Sequence, residues 1–174
     1  MIKHFPVSRI FARMFTFFQQ LIHFLRANSR HGTHSPFVYA LADQAVYRSS
    51  LPDSKELEGL HKIPLRYRQV LWRLLGYWNK KKVYASEEEQ SLGDVCFIKA
   101  EELSKKIICQ HLNDKVLIVV DGIYRSKRTR HAWRCAQQEN QVTVSIDLFH
   151  FGVLISRSGQ VKENFTLRYP FWIK

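Results

Sequence analysis

Glycine and proline are scarce in this chain, at seven and five of 174 residues, and no low-complexity tract or internal repeat is visible. That excludes a flexible linker or a repeat array. Cysteine is nearly absent: Cys96, Cys109 and Cys135 are odd in number and widely spaced. No CxxC or Cys/His metal spacing occurs, which argues against a structural zinc site. Three unclustered thiols fit a reducing compartment, so a cytoplasmic location is expected. Acids are few, 15 against 27 Lys and Arg, for a net charge of +12. Such an excess favours polyanions, nucleic acid or an anionic membrane face as partners. A long unbroken apolar run is also missing. Phe5 to Leu25 is rich in Phe, Ile and Leu but is interrupted by Arg9, Arg13, Gln19, Gln20 and His23. This rules against a signal peptide, and against a transmembrane span of about 20 apolar residues.

What is present is apolar content, at 45% hydrophobic and 13% aromatic residues. A disordered chain could not carry it, and the length suits one domain or two small ones. We read residues 1–60 as an N-terminal helical extension and residues 61–174 as an α/β domain. Arg9, Arg13, Thr16, Gln20 and His23 recur at steps of three and four, with Ile10, Phe11, Met14, Phe15, Phe18, Leu21, Ile22 and Leu25 opposite. This is an amphipathic helix. Its apolar face is expected to pack on the domain core or on a partner, including a second copy. The sharper alternative is a helix lying in a membrane interface.

Gly32 and Pro36 mark a break, after which Ser35 is placed to cap a helix opened by Pro36. His31 and His34 are three apart, but no third ligand is near, so local hydrogen bonding at a turn is the expected use. A short helical stretch is expected over residues 55–60. A further helix opens near Pro64, with Val70, Leu71, Leu74 and Leu75 at core spacing. Lys62 to Lys82 contains seven Lys or Arg and no acid. Arg66, Arg68, Trp72 and Arg73 make a basic-aromatic set able to stack and neutralise single-stranded nucleic acid, or to serve as a solvated helix face.

Val83 to Ala85 and Asp94 to Ile98 are strand candidates, and Glu101 to Leu112 has helical spacing. Val116 to Val120 is an unbroken β-branched run, as expected of a strand buried on both faces, and ends at Asp121. Ser126 can cap a helix to about Gln138. Val142 to Leu148 and Val153 to Ser156 should pair as an antiparallel hairpin.

Arg30 to Tyr39 resembles the RHGxHSPFVY signature of a group of Bacteroidetes class I S-adenosylmethionine-dependent methyltransferases. Val116 to Arg168, including Asp121 to Ser126, Ala132-Trp133, Val142 to Phe149, Gly152 and Phe165 to Arg168, resembles that family's late DDIxWS strand, its helix and its closing hairpin. Pro64 to Trp78 is similar to the helix before the first cofactor strand. Together these cover about half the chain. The resemblance implies a reduced Rossmann-like methyltransferase sheet with a terminal antiparallel hairpin. It implies S-adenosylmethionine as cofactor if the chain is active, and Asp121 as the catalytic or substrate-orienting acid.

The departures are specific. The family has a glycine-rich ELGxxxG turn after its first cofactor strand, so that the backbone can approach the cofactor. Here Lys82 to Glu89 has no glycine and three carboxylates. About thirty residues separate Val83 from Val116, room for one strand-helix unit. The second acid of the DDI element is Gly122, and one carboxylate is a poor divalent-metal site. The sequence therefore points to a degenerate, non-catalytic methyltransferase-like protein acting in binding. The alternatives are an active enzyme with an unconventional or subunit-completed site, and a basic nucleic-acid-binding module.

Overall fold

The computed structural model describes residues 7–29, 35–48, 57–87 and 93–171. Helix α1 spans Val7–Arg26 and α2 Pro36–Leu41, which runs on as one π-turn over Ala42–Val46. Ser35 takes the N-cap position of α2, but its side chain makes no cap bond. The stretch expected to be helical before residue 60 lies partly outside the described residues; a single 3₁₀ turn follows at Leu60–Lys62. Helix α3 is Leu65–Tyr77, with Pro64 at its N-cap.

Strands β1 (Val83–Ala85) and β2 (Val95–Lys99) lead to α4 (Lys105–His111), shorter than the spacing suggested because Ser104 caps it late. Strand β3 (Leu117–Asp121), helix α5 (Lys127–Gln138), strands β4 (Val144–Asp147), β5 (Phe151–Ile155) and β6 (Glu163–Thr166) complete the order. Helix α5 starts on a reciprocal cap. The Thr129 N–H donates to Ser126 Oγ at 3.1 Å, and the Ser126 N–H donates to Thr129 Oγ1 at 2.9 Å. Two otherwise orphaned donors are satisfied this way.

The six strands form one sheet in the order β1-β2-β3-β5-β4-β6. β1, β2 and β3 are parallel, β5 lies antiparallel between β3 and β4, and β6 runs parallel to β4. The expected hairpin is present as β4 and β5. The protein is thus α/β, with a mixed sheet and helices N-terminal to it. Alternation along the strands feeds two cores. Leu117 and Val119 of β3 face α2, the π-turn and α3, whereas Ile118 and Val120 face α4 and α5. Residues 38–47 and 63–75 enter the first core together, so apolar packing is continuous across residue 60. Trp133 of α5 sits over β5 at Gly152, where an added Cβ would lie 2.4 Å from the indole ring.

Helix α1 is the exception to the usual in-out rule. Met14, Phe15, Phe17, Phe18, Leu21, Ile22 and Leu25 are all exposed, from 43% to 68%. His23 is buried, and Gln19 and Gln20 are half-buried. The expected packing of the apolar face on the domain core is therefore corrected: among the described side chains it is Gln19, Gln20 and His23 that turn toward the domain. The cause is a set of polar partners fixed to the sheet, described next.

Candidate functional site

Two strands end in aspartate. Asp121 closes β3 and Asp147 closes β4, so both carboxylates sit at the carboxyl edge of the parallel strands, where α/β sheets hold their ligands. Both are buried, at 5% and 4% exposure. A buried carboxylate must be hydrogen-bonded, and each of these is.

Asp121 is held by three donors. Arg66 Nη2 reaches Oδ1 at 2.6 Å, the Tyr67 hydroxyl donates to Oδ1 at 2.8 Å, and Arg125 Nη2 donates to Oδ2 at 2.8 Å. Arg66 and Tyr67 come from the first turn of α3, and Tyr67 stacks on Phe151 with centroids 4.7 Å apart. Burial and the neighbouring Asp121 charge push the Tyr67 hydroxyl far above its ordinary range, which keeps it a neutral donor. Arg125 folds back because Gly122 adopts φ +74°, and a Cβ at Gly122 would lie 3.0 Å from the Arg125 guanidinium. Glycine at position 122 thus leaves room for the Arg125 guanidinium beside Asp121. Arg125 also donates through Nη1 to Glu101 at 3.0 Å. Burial works against its charge, but Glu101 and Asp121 outweigh that and raise its pKa.

Asp147 binds the N-terminal helix. His23 Nε2 donates to Oδ1 at 2.9 Å, the Phe149 N–H donates to the same oxygen at 2.9 Å, and the Tyr124 hydroxyl donates to Oδ2 at 2.8 Å. Phe149 has φ +66°, a rare conformation for a bulky residue. It is held between Tyr124, stacked at 5.0 Å, and the edges of His23 and His150, each 5.3 Å away. Gln19, with its amide oriented to satisfy both neighbours, donates to the Tyr124 carbonyl and accepts from Arg130 Nη1, both at 3.3 Å. These contacts turn the polar face of α1 inward.

Residues that hold or flank the two acids line a cleft of about 190 Å³, formed by Thr16, Arg66, Gly122, Tyr124, Arg125, Phe149 and His150. Burial drives the His150 pKa down to about 4, with Arg66 and His23 adding to the fall and Asp121 opposing it. The imidazole is neutral at pH 7.

The other sequence candidates are dispersed. His31 and His34 lie outside the described residues. Arg68 turns back along its own helix to the Ile63 carbonyl at 2.6 and 2.9 Å. Arg73 is buried at 3% and donates to the Ala45 carbonyl at 3.1 Å, at the end of the π-turn. Trp72 is half-buried against the first core, with no partner for its ring N–H. Arg66, Arg68, Trp72 and Arg73 therefore do not share one surface. Among the described residues no cluster of three or more His, Cys, Asp or Glu is placed to hold a metal ion.

Sequence reasoning did not single out Asp147, Tyr124, Arg125 or His150. The available signal was that both long apolar strands end in Asp, each followed within four residues by an aromatic side chain. No protein-family model, no curated protein and no solved structure matches this chain.

Proposed function

We propose that the chain is a shortened methyltransferase-like domain that acts by binding and not by methyl transfer. The reading rests first on the quoted sequence segments. The sheet is consistent with it: three parallel strands, a crossover helix, and an antiparallel strand inserted beside β3. Among the described residues β1 is the last strand on its side of the sheet, and beyond it only an isolated bridge from Glu58 to Lys82 is made.

The observation that carries the non-catalytic part is the state of Asp121. Methyl transfer needs cofactor and acceptor held in line by groups free to touch them. Here the strand-end acid spends its oxygens on Arg66, Tyr67 and Arg125 of its own chain. The adjacent cleft, at about 190 Å³, is below the roughly 300–1,000 Å³ usual for cofactor sites. The test is calorimetric titration with S-adenosylmethionine and with its demethylated product. No saturable heat is expected; micromolar binding of either would restore the enzymatic reading.

A further inference from the structure

Among the described residues the apolar face of α1 from Met14 to Leu25 is left uncovered. Seven large side chains between Met14 and Leu25 stand in solvent along this helix. Exposed apolar faces of this extent mark interaction sites. The helix cannot simply roll over to bury them. Its opposite side is fixed by the buried His23–Asp147 hydrogen bond, by Gln19 against Tyr124 and Arg130, and by Arg168 over the Phe24 ring at 5.0 Å.

We infer that α1 lies in the interface of an anionic membrane, with Met14, Phe15, Phe18, Leu21, Ile22 and Leu25 among the acyl chains and the domain on the aqueous side. This inference stands apart from the methyltransferase-like reading.

Charge selects the occupant. α1 carries Arg9, Arg13 and Arg26 and no acid, in a chain of net charge +12. The helix that packs beside Tyr124, α5, exposes Lys127, Arg128 and Arg134 and has no acid. Arg130 of α5 donates to the Gln19 amide of α1 at 3.3 Å, so α5 lies beside α1. A second copy docking through the same face would oppose identical cationic helices, with no acid on α1 to pair them. Anionic headgroups supply the missing charge, and a polybasic surface adds to membrane attraction cooperatively with apolar insertion. Among the described residues no helix is long and apolar enough to cross a membrane. α1 is amphipathic instead, so it suits lying on the surface.

The test is flotation of the full chain with two vesicle types, phosphatidylcholine alone and phosphatidylcholine with about 30 mol% phosphatidylserine. The variants are Phe18→Ser with Leu25→Ser, at two exposed positions, and, independently, Lys127→Glu with Arg134→Glu on α5. Binding to the serine-containing vesicles is expected, at least about tenfold above phosphatidylcholine alone, and weakening with salt. Each double variant should lower it about tenfold or more while far-ultraviolet dichroism stays unchanged. Absence of flotation with either vesicle overturns the inference. So does equal flotation with both, or a stable dimer in light scattering that the Phe18→Ser, Leu25→Ser variant dissociates.

Discussion

The inverted seating of α1 makes a prediction opposite to the one its amphipathic sequence suggests. His23→Ala removes the Nε2 donor from Asp147 Oδ1 and the edge contacts to Tyr124 and Phe149, with centroids 5.4 and 5.3 Å away. A hydrogen bond to a charged acceptor contributes about 1.5–3 kcal/mol. Each aromatic edge contact adds about 0.5–1.5 kcal/mol. Asp147 keeps its bonds from Tyr124 and Phe149, which limits the loss. The net cost should be about 2–4 kcal/mol. For a chain of this size that lowers Tm by roughly 5–15 °C if α1 unfolds with the domain. If α1 instead detaches alone, amide exchange over residues 16–26 should speed up by about a hundredfold. Phe18→Ser, at a residue 54% exposed, should change stability by no more than about 0.5 kcal/mol. Thermal melts and hydrogen exchange on the two variants decide the matter. A destabilised Phe18→Ser beside an unaltered His23→Ala would refute the seating of the helix.

Three further outcomes follow from the same geometry. His150 has a folded pKa of about 4 against an ordinary 6.5, so the unfolded chain takes up its proton first. Its contribution is complete above pH 6.5 and is lost as pH falls from there toward 4, by about 1.4 kcal/mol per pH unit. Urea unfolding at pH 7 and 4.5 should show His150→Gln sparing the protein about 2 kcal/mol of the acid loss. Gly152→Ala drives a Cβ to within 2.4 Å of the buried Trp133 ring. It should cost about 1–3 kcal/mol and alter the near-ultraviolet dichroism of that indole. Cys109 and Cys135 are exposed, whereas Cys96 is buried with its thiol pushed up to about 12. A thiol reagent should therefore label two cysteines in the native protein and the third only after denaturation.

The elements that the sequence disclosed are those whose signal is local. The apolar run of β3, the Ser126 cap of α5 and the β4–β5 hairpin each depend on neighbours in the chain. So does the period of α1. Its direction does not: periodicity separates two faces of a helix without saying which one turns inward. That choice is made by Asp147, 124 residues from His23. Asp121 was visible as a strand-end acid. Its clamp was not, because Arg66 and Tyr67 arrive from 55 and 54 residues away. The same limit applies to Arg73. In a run of cations it reads as surface, yet it serves the carbonyl of Ala45 from inside the core. The π-turn that carries that carbonyl has no signature in Ala42 to Val46.

The most direct test of the account is the titration of the purified chain with S-adenosylmethionine. An acid saturated by Arg66, Tyr67 and Arg125, beside a cleft of about 190 Å³, predicts no saturable heat at millimolar ligand. Binding at micromolar concentration, abolished by substituting Asp121→Asn, would contradict it.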